Sequence, residues 1–187
     1  MDEMRLYHAG FQEIRRPDVH YGRRNADFGQ GFYLSPDLEF SKRWARARKG
    51  RDTYVNSYVL RVEGLHVARL DRDETWFDYI FNNRAGGEDG MPEADVVMGP
   101  IANDTIYNVW GITTSGRISR AQALRLLTIG PCYQQVVLKT ERAASQLEWL
   151  SARRLEVEEM DAYRALVRQE EEAYQQQFVE VMEALLG

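Results

Sequence analysis

The 187-residue sequence predicts an α+β domain built on mostly antiparallel sheet and followed by a long C-terminal helix. Three observations carry this reading. Short β-favourable runs are interspersed with short helical stretches over the first 140 residues, without the regular βα alternation or glycine-rich turn of a doubly wound fold. The composition is globular, 44% hydrophobic and 28% charged with ten Tyr, seven Phe and four Trp, which excludes a disordered or collagen-like chain. From Leu155 to Leu186 there is neither Gly nor Pro, and Ala, Glu, Gln and Leu dominate, all good helix formers. A domain over 1–150 and a helical extension over 151–187 are expected.

The elements follow in order. Met4 to His8 reads as a strand ending at Gly10, and Gly31 to Leu34 as a second short strand beyond a polar loop. Ser35-Pro36-Asp37 opens a helix with Ser35 as N-cap, placing Phe40, Trp44 and Ala47 on one face. Thr53 to Val62 and Val67 to Leu70 are strands, and Thr75 to Asn83 is a helix running into the Gly-rich loop 85–90. Asp95 to Met98 is a buried strand, and the chain turns helical from Asn103. Ser119 with Gln122 forms a capping box for a helix through Leu127, and Tyr133 to Lys139 is the last strand candidate. In the tail, Met160, Tyr163, Val167, Tyr174, Phe178, Val181 and Leu185 make a heptad seam interrupted at Glu170. Such a stripe must be covered. Packing on its own domain is the first expectation and a homodimer through this helix the second.

Charge and cysteine usage exclude several classes. The net charge of −5 lies wholly in 151–187, where four Arg face nine acids; 1–150 balance at 20 basic and 20 acidic side chains. Bulk charge therefore gives no support to nucleic-acid binding, although Lys42, Arg43, Arg46, Arg48, Lys49 and Arg51 crowd six cations into ten residues. That run is either a solvated helix face or a phosphate-contacting patch. One cysteine, Cys132, excludes a disulfide framework. No signal-like segment and no membrane-length apolar run occur, so a soluble, cytoplasmic protein with no membrane partner is expected.

Motifs for familiar chemistries are missing. Three His and one Cys without zinc spacing argue against a metal site, and no GxSxG nucleophile elbow occurs. Gly29-Gln30-Gly31 fails as a dinucleotide or P-loop fingerprint. Polar residues at strand ends remain. His8 closes the first strand; taken alone, such a histidine is more often structural than functional. The run from Asp27 to Leu34 brings two glycines into Phe32 and Tyr33, suiting either a tight turn or a loop that a ligand approaches closely. Asn103 and Asp104 follow an apolar strand and open a helix, as caps or as an anion site. Of Gln134 and Gln135, one must point inward, where its amide needs partners.

These pieces, in register, resemble the ADP-ribosyltransferase superfamily and more closely a bacterial family within it, the DUF3990 proteins. The matching segments are Leu6 to Gly10, Asp27 to Leu34, Val55 to Tyr58, Asn83-Arg84, Asp95 to Asp104 and Gln135 to Thr140, so the resemblance runs from about Leu6 to Leu150. It implies split antiparallel sheets with peripheral helices, the C-terminal helix lying outside. It also implies NAD as co-substrate, no metal, and a His-Tyr-Glu set on three strands. His8 would hold a ribose hydroxyl, the Ala9 backbone the nicotinamide carboxamide, and Tyr33 would stack on the nicotinamide. Asp27, Gly31, Phe32 and Asn103 complete the expected cofactor-binding set. The third position falls on Gln135, where the best-known members carry glutamate; Asp104, or else Asp27, would then supply the charge. The implied function is ADP-ribosyl transfer to a protein or nucleic-acid acceptor, as a toxin or defence effector with a neutralising antitoxin. The alternative is a catalytically weak nucleotide-binding or protein-interaction module.

Overall fold

A computed structural model describes residues 3–102 and 118–186. They form two sheets and five helices. β1 (Glu3–Gly10), β3 (Tyr54–Arg61) and β7 (Leu147–Arg154) make a three-stranded antiparallel sheet in the order β1-β3-β7. β2 (Phe32–Leu34), β6 (Gln134–Leu138), β5 (Val96–Pro100) and β4 (Val67–Arg69) make the second sheet in that order, antiparallel except for the β4–β5 pair. The helices are α1 (Leu38–Arg43), α2 (Glu74–Arg84), α3 (Arg120–Leu127), α4 (Glu141–Ser145) and α5 (Val157–Leu186). The expected helix from Asn103, and with it Asn103 and Asp104, lies outside the described residues.

The alternation of apolar side chains along the strands sorts the core into layers. Leu6, Tyr58 and Leu60 of one sheet meet Phe32, Leu34, Val96, Val136 and Leu138 of the other between the two sheets. On the far side of the four-stranded sheet, Val97 and Val137 are covered by Trp76, Phe77 and Ile80 of α2 and by Ala123 and Leu126 of α3. Across the outer face of the three-stranded sheet, Val55 packs with Leu155 and Met160, and with Leu38, the first residue of α1.

Helix α5 spans both outer layers. Its 30 residues reach about 45 Å, so Met160 lies in the outer layer of one sheet and Tyr174 in that of the other, with Phe178, Val181 and Leu185 following. The tail seam is therefore covered by its own chain, as expected. Glu170, the polar interruption, accepts from Tyr133 at 2.9 Å and pairs with Arg43, which places an ion pair where the two layers join.

Three local readings need correction. Asp37, not Ser35, caps α1, accepting from the Glu39 and Phe40 amides, while Ser35 pairs with Tyr7 in an isolated bridge. Helix α1 stops at Arg43, whose side chain and that of Lys42 turn to carboxylates of α5; Trp44 is its exposed C-cap and shares no helical face with Ala47. Helix α4 and strand β7 follow Lys139, where no further strand is expected from Tyr133 onward, and β7 runs through residue 150. The capping box on α3 forms as the sequence predicts.

Candidate functional site

The two sheets are joined edge to edge through Tyr7 and Ser35, whose backbones exchange hydrogen bonds of 2.8 and 2.9 Å. Backbone groups two residues apart along a strand face the same edge. The N–H and C=O of Ala9 therefore point the same way as those of Tyr7. Continuing the antiparallel register would set Ala9 opposite Tyr33, but the Tyr33 carbonyl instead accepts from His8 Nδ1 at 2.8 Å. The sheets part at this point, and the Ala9 backbone faces the opening, with no backbone bond from that side among the described residues.

This bond also sets the chemistry of His8. A carbonyl oxygen only accepts, so Nδ1 carries the proton and Nε2 keeps its lone pair. Burial holds the imidazole pKa below its usual value, against the opposing pull of the Tyr33 carbonyl, so the ring is neutral at pH 7. Phe32 packs against the ring, with centroids 4.7 Å apart, and fixes its plane. A side chain at Gly10 would bring a Cβ to 3.2 Å from Nε2, so the glycine keeps the acceptor side clear.

Tyr33 anchors the loop that precedes it. Its hydroxyl donates to the Gly29 carbonyl at 2.7 Å and accepts from the Phe28 amide at 3.0 Å. Burial, the larger effect, keeps the phenol protonated throughout the physiological range. With the hydroxyl committed, the ring, partly buried and packed against the outer core layer, is all that the Tyr33 side chain has left to offer a ligand. Gly29 has φ +72°, a left-handed conformation that suits glycine. A Cβ at Gly31 would lie 2.5 Å from Val137 Cγ1, so only glycine fits under β6 there.

Asp27 ties four segments together. One carboxylate oxygen accepts from Arg84 Nε at 2.8 Å; the other accepts from the Ala102 amide at 3.0 Å and Gln135 Nε2 at 3.3 Å. Asn83 Nδ2 bonds the Asp27 carbonyl at 3.1 Å, and Lys139 bonds the Phe28 carbonyl while pairing with Asp89 at 3.1 Å. The Asp27 carboxylate is thus matched by Arg84, and both side chains are largely buried.

The structure thus joins His8, Phe32 and Tyr33 at the sheet junction, with Ala9 on its edge, and joins Asp27 to Gln135 beneath the loop that ends at Gly31. Of the glutamine pair, Gln135 is the inward one, 7% exposed, and Gln134 faces outward. Asn103 and Asp104 lie outside the described residues. Arg84, Asn83 and Lys139 lie in segments that carry the resemblance but have no role in the sequence reading, because their partners are 57, 56 and 111 residues away in the chain. Among the described residues, no group of His, Cys, Asp and Glu is arranged to hold a metal ion, and no helix is long and apolar enough to cross a membrane.

Comparison with protein families matches residues 4–149 to the family described as "Protein of unknown function (DUF3990)". The chain belongs to the DUF3990 family. In this DUF3990 protein the matched span begins in β1 and ends within β7, so it contains β2 to β6 whole, parts of β1 and β7, and all the described site residues. Helix α5 lies beyond it. No curated protein and no solved structure matches the chain.

Proposed function

We propose that this DUF3990 protein binds NAD at the sheet junction and transfers its ADP-ribose to a macromolecular acceptor. The observation that carries the reading is the pairing of a lone-pair nitrogen, His8 Nε2, with the outward-facing Ala9 backbone on one strand edge. A ribose hydroxyl requires an acceptor, and a carboxamide requires one donor and one acceptor. Those are the groups on offer. The face of Tyr33 supplies a surface for the nicotinamide ring. In the transfer, the bond between ribose C1′ and the nicotinamide nitrogen breaks and neutral nicotinamide leaves. The acceptor's nucleophile bonds C1′ and loses its proton to solvent.

One observation favours slow chemistry. Positive charge grows on the ribose as the bond breaks, and a fixed negative charge nearby is usually the largest aid. Gln135 is neutral and Asp27 is already matched by Arg84. A nucleotide-binding module with weak turnover is therefore the second reading. Calorimetric titration with NAD, combined with measurement of released nicotinamide with and without cell extract, separates them. The transferase reading expects saturable binding and extract-dependent release. Binding without release supports the module, and absence of binding overturns both.

A further inference from the structure

We propose that the segment from Trp44 to Arg51 is a docking surface for single-stranded nucleic acid, which names the acceptor class of the transferase and, for that acceptor role, rests on that reading. The six-cation run divides in two. Lys42 is tied to Glu39 at 2.7 Å and Glu159 at 3.6 Å, and Arg43 to Glu170, so these two fasten α1 to α5. Arg46, Arg48, Lys49 and Arg51 are exposed, and among the described residues none is paired with a carboxylate. Asp52, the acid beside them, is held by Arg154 at 3.2 Å, so it does not neutralise the loop. The chain's excess negative charge makes four unpaired cations in six residues a local exception.

The loop is shaped as well as charged. Arg51 closes a turn onto the Arg48 carbonyl at 3.0 Å, with Gly50 at φ +75°. The loop rims a hollow against the start of α5, with Val157 and Met160 opposite the cations. Trp44, 54% exposed, stands at the head of the segment, with its ring held edge-on to Phe40 at 5.8 Å between centroids. Cations that follow a backbone, with an aromatic face for a base, are what single strands require; an acidic protein segment would need only the charges. The placement suits an acceptor. The segment enters β3 at Tyr54, which pairs with Gly10, two residues beyond His8.

Fluorescence anisotropy with a labelled 20-nucleotide single strand, as RNA and as DNA, tests this in the absence of NAD. Binding and the NAD reading can therefore fail separately. With four phosphate contacts, affinity should fall about 50-fold between 50 and 200 mM salt. Replacing Arg46, Arg48, Lys49 and Arg51 together by Ala should abolish that dependence and most of the binding. Arg46→Lys, Arg48→Lys and Arg51→Lys in one chain should retain both, which controls for folding. Trp44→Ala should weaken binding about tenfold with the salt slope unchanged. Failure of the full-length protein to bind at 50 mM salt, or equal binding by the four-Ala variant, overturns the proposal. An unchanged affinity in Trp44→Ala overturns the single-strand assignment.

Discussion

Arg84, the last residue of α2, donates through Nε to the Asp27 carboxylate at 2.8 Å and through its terminal nitrogen to the Ala102 carbonyl at 3.1 Å. One guanidinium thereby fastens the loop before β2 to the segment leaving β5. Removing one partner from a largely buried ion pair leaves the other charge desolvated and unmatched, which typically costs about 3–5 kcal/mol. Arg84→Leu should lower stability by about that amount, measured by urea denaturation. Asp27→Asn in the same chain should recover part of the loss, because the orphaned charge is then gone. A fully additive double variant would show that the two residues do not act as a pair.

His8 links stability to pH. Its folded pKa is depressed by burial, whereas in the unfolded chain it sits near 6.5. Between those values the unfolded chain binds more protons, so stability rises with pH there and is flat with respect to this group above about 6.5. Acidification below pH 6.5 should destabilise the protein, and His8→Gln should remove part of that slope. NAD affinity should hold over that range and fall only as pH drops through the lower folded-state pKa, where Nε2 takes the proton and no longer accepts a hydroxyl. Denaturation and NAD titrations carried out in parallel from about pH 7.5 downward read both effects, the loss of stability beginning at the higher pH.

The sheet junction accounts for a further prediction. His8→Ala removes the Nε2 acceptor and the bond that keeps Tyr33's carbonyl off Ala9, so NAD affinity should drop at least about tenfold. Tyr33→Phe is more telling. It keeps the stacking face but frees the Gly29 carbonyl and the Phe28 amide, so stability should fall by about 1–3 kcal/mol with a smaller change in affinity. Unchanged NAD affinity in His8→Ala would place the nucleotide elsewhere.

Much of the fold was legible because its signals are local. The capping box at Ser119 and Gln122, the Gly- and Pro-free tail and the β-favourable runs each announce themselves within a few residues. Strand β7 did not, because its burial pattern does not alternate cleanly: it is a sheet edge with exposed Glu148, Leu150 and Ser151, and its identity comes from pairing with β3 some 90 residues earlier. The site divides the same way. His8, Tyr33 and the inward glutamine lie at strand ends that sequence marks. The partner of Asp27 is a long-range choice among many arginines, and only the fold selects Arg84.

Helix α5 makes a prediction about the C-terminal stripe. Tyr174 is buried against α3, where its hydroxyl reaches the Leu126 carbonyl at 3.4 Å and its ring lies 6.0 Å from that of Phe178. Deleting a buried aromatic side chain costs about 3–5 kcal/mol. Tyr174→Ala should lower the melting temperature by several degrees, whereas Val179→Ala, on the exposed side, should not. Equal effects would show that α5 does not lie on the four-stranded sheet's outer layer.

Gln135→Glu tests how charge is managed at the loop. In the native protein the amide of Gln135 donates to Asp27 Oδ2 at 3.3 Å. A carboxylate there would face a second carboxylate across the same gap, with Arg84 as the shared counter-ion. Two such groups cannot both ionise cheaply, so the folded-state pKa of the introduced glutamate should rise well above its unfolded value near 4.3. The sign follows. Below both values the protonated glutamate can still donate to Asp27 and stability is close to native; as pH rises through 4.3 and beyond, the unfolded chain releases the proton more readily and stability falls. Urea denaturation should therefore show Gln135→Glu close to the native protein at pH 4.5 and clearly weaker at pH 8. Gln135→Met, which removes the donor without adding charge, should show a loss of about 1 kcal/mol with no such pH dependence. A pH-independent deficit in Gln135→Glu would mean that residue 135 does not face Asp27 in solution.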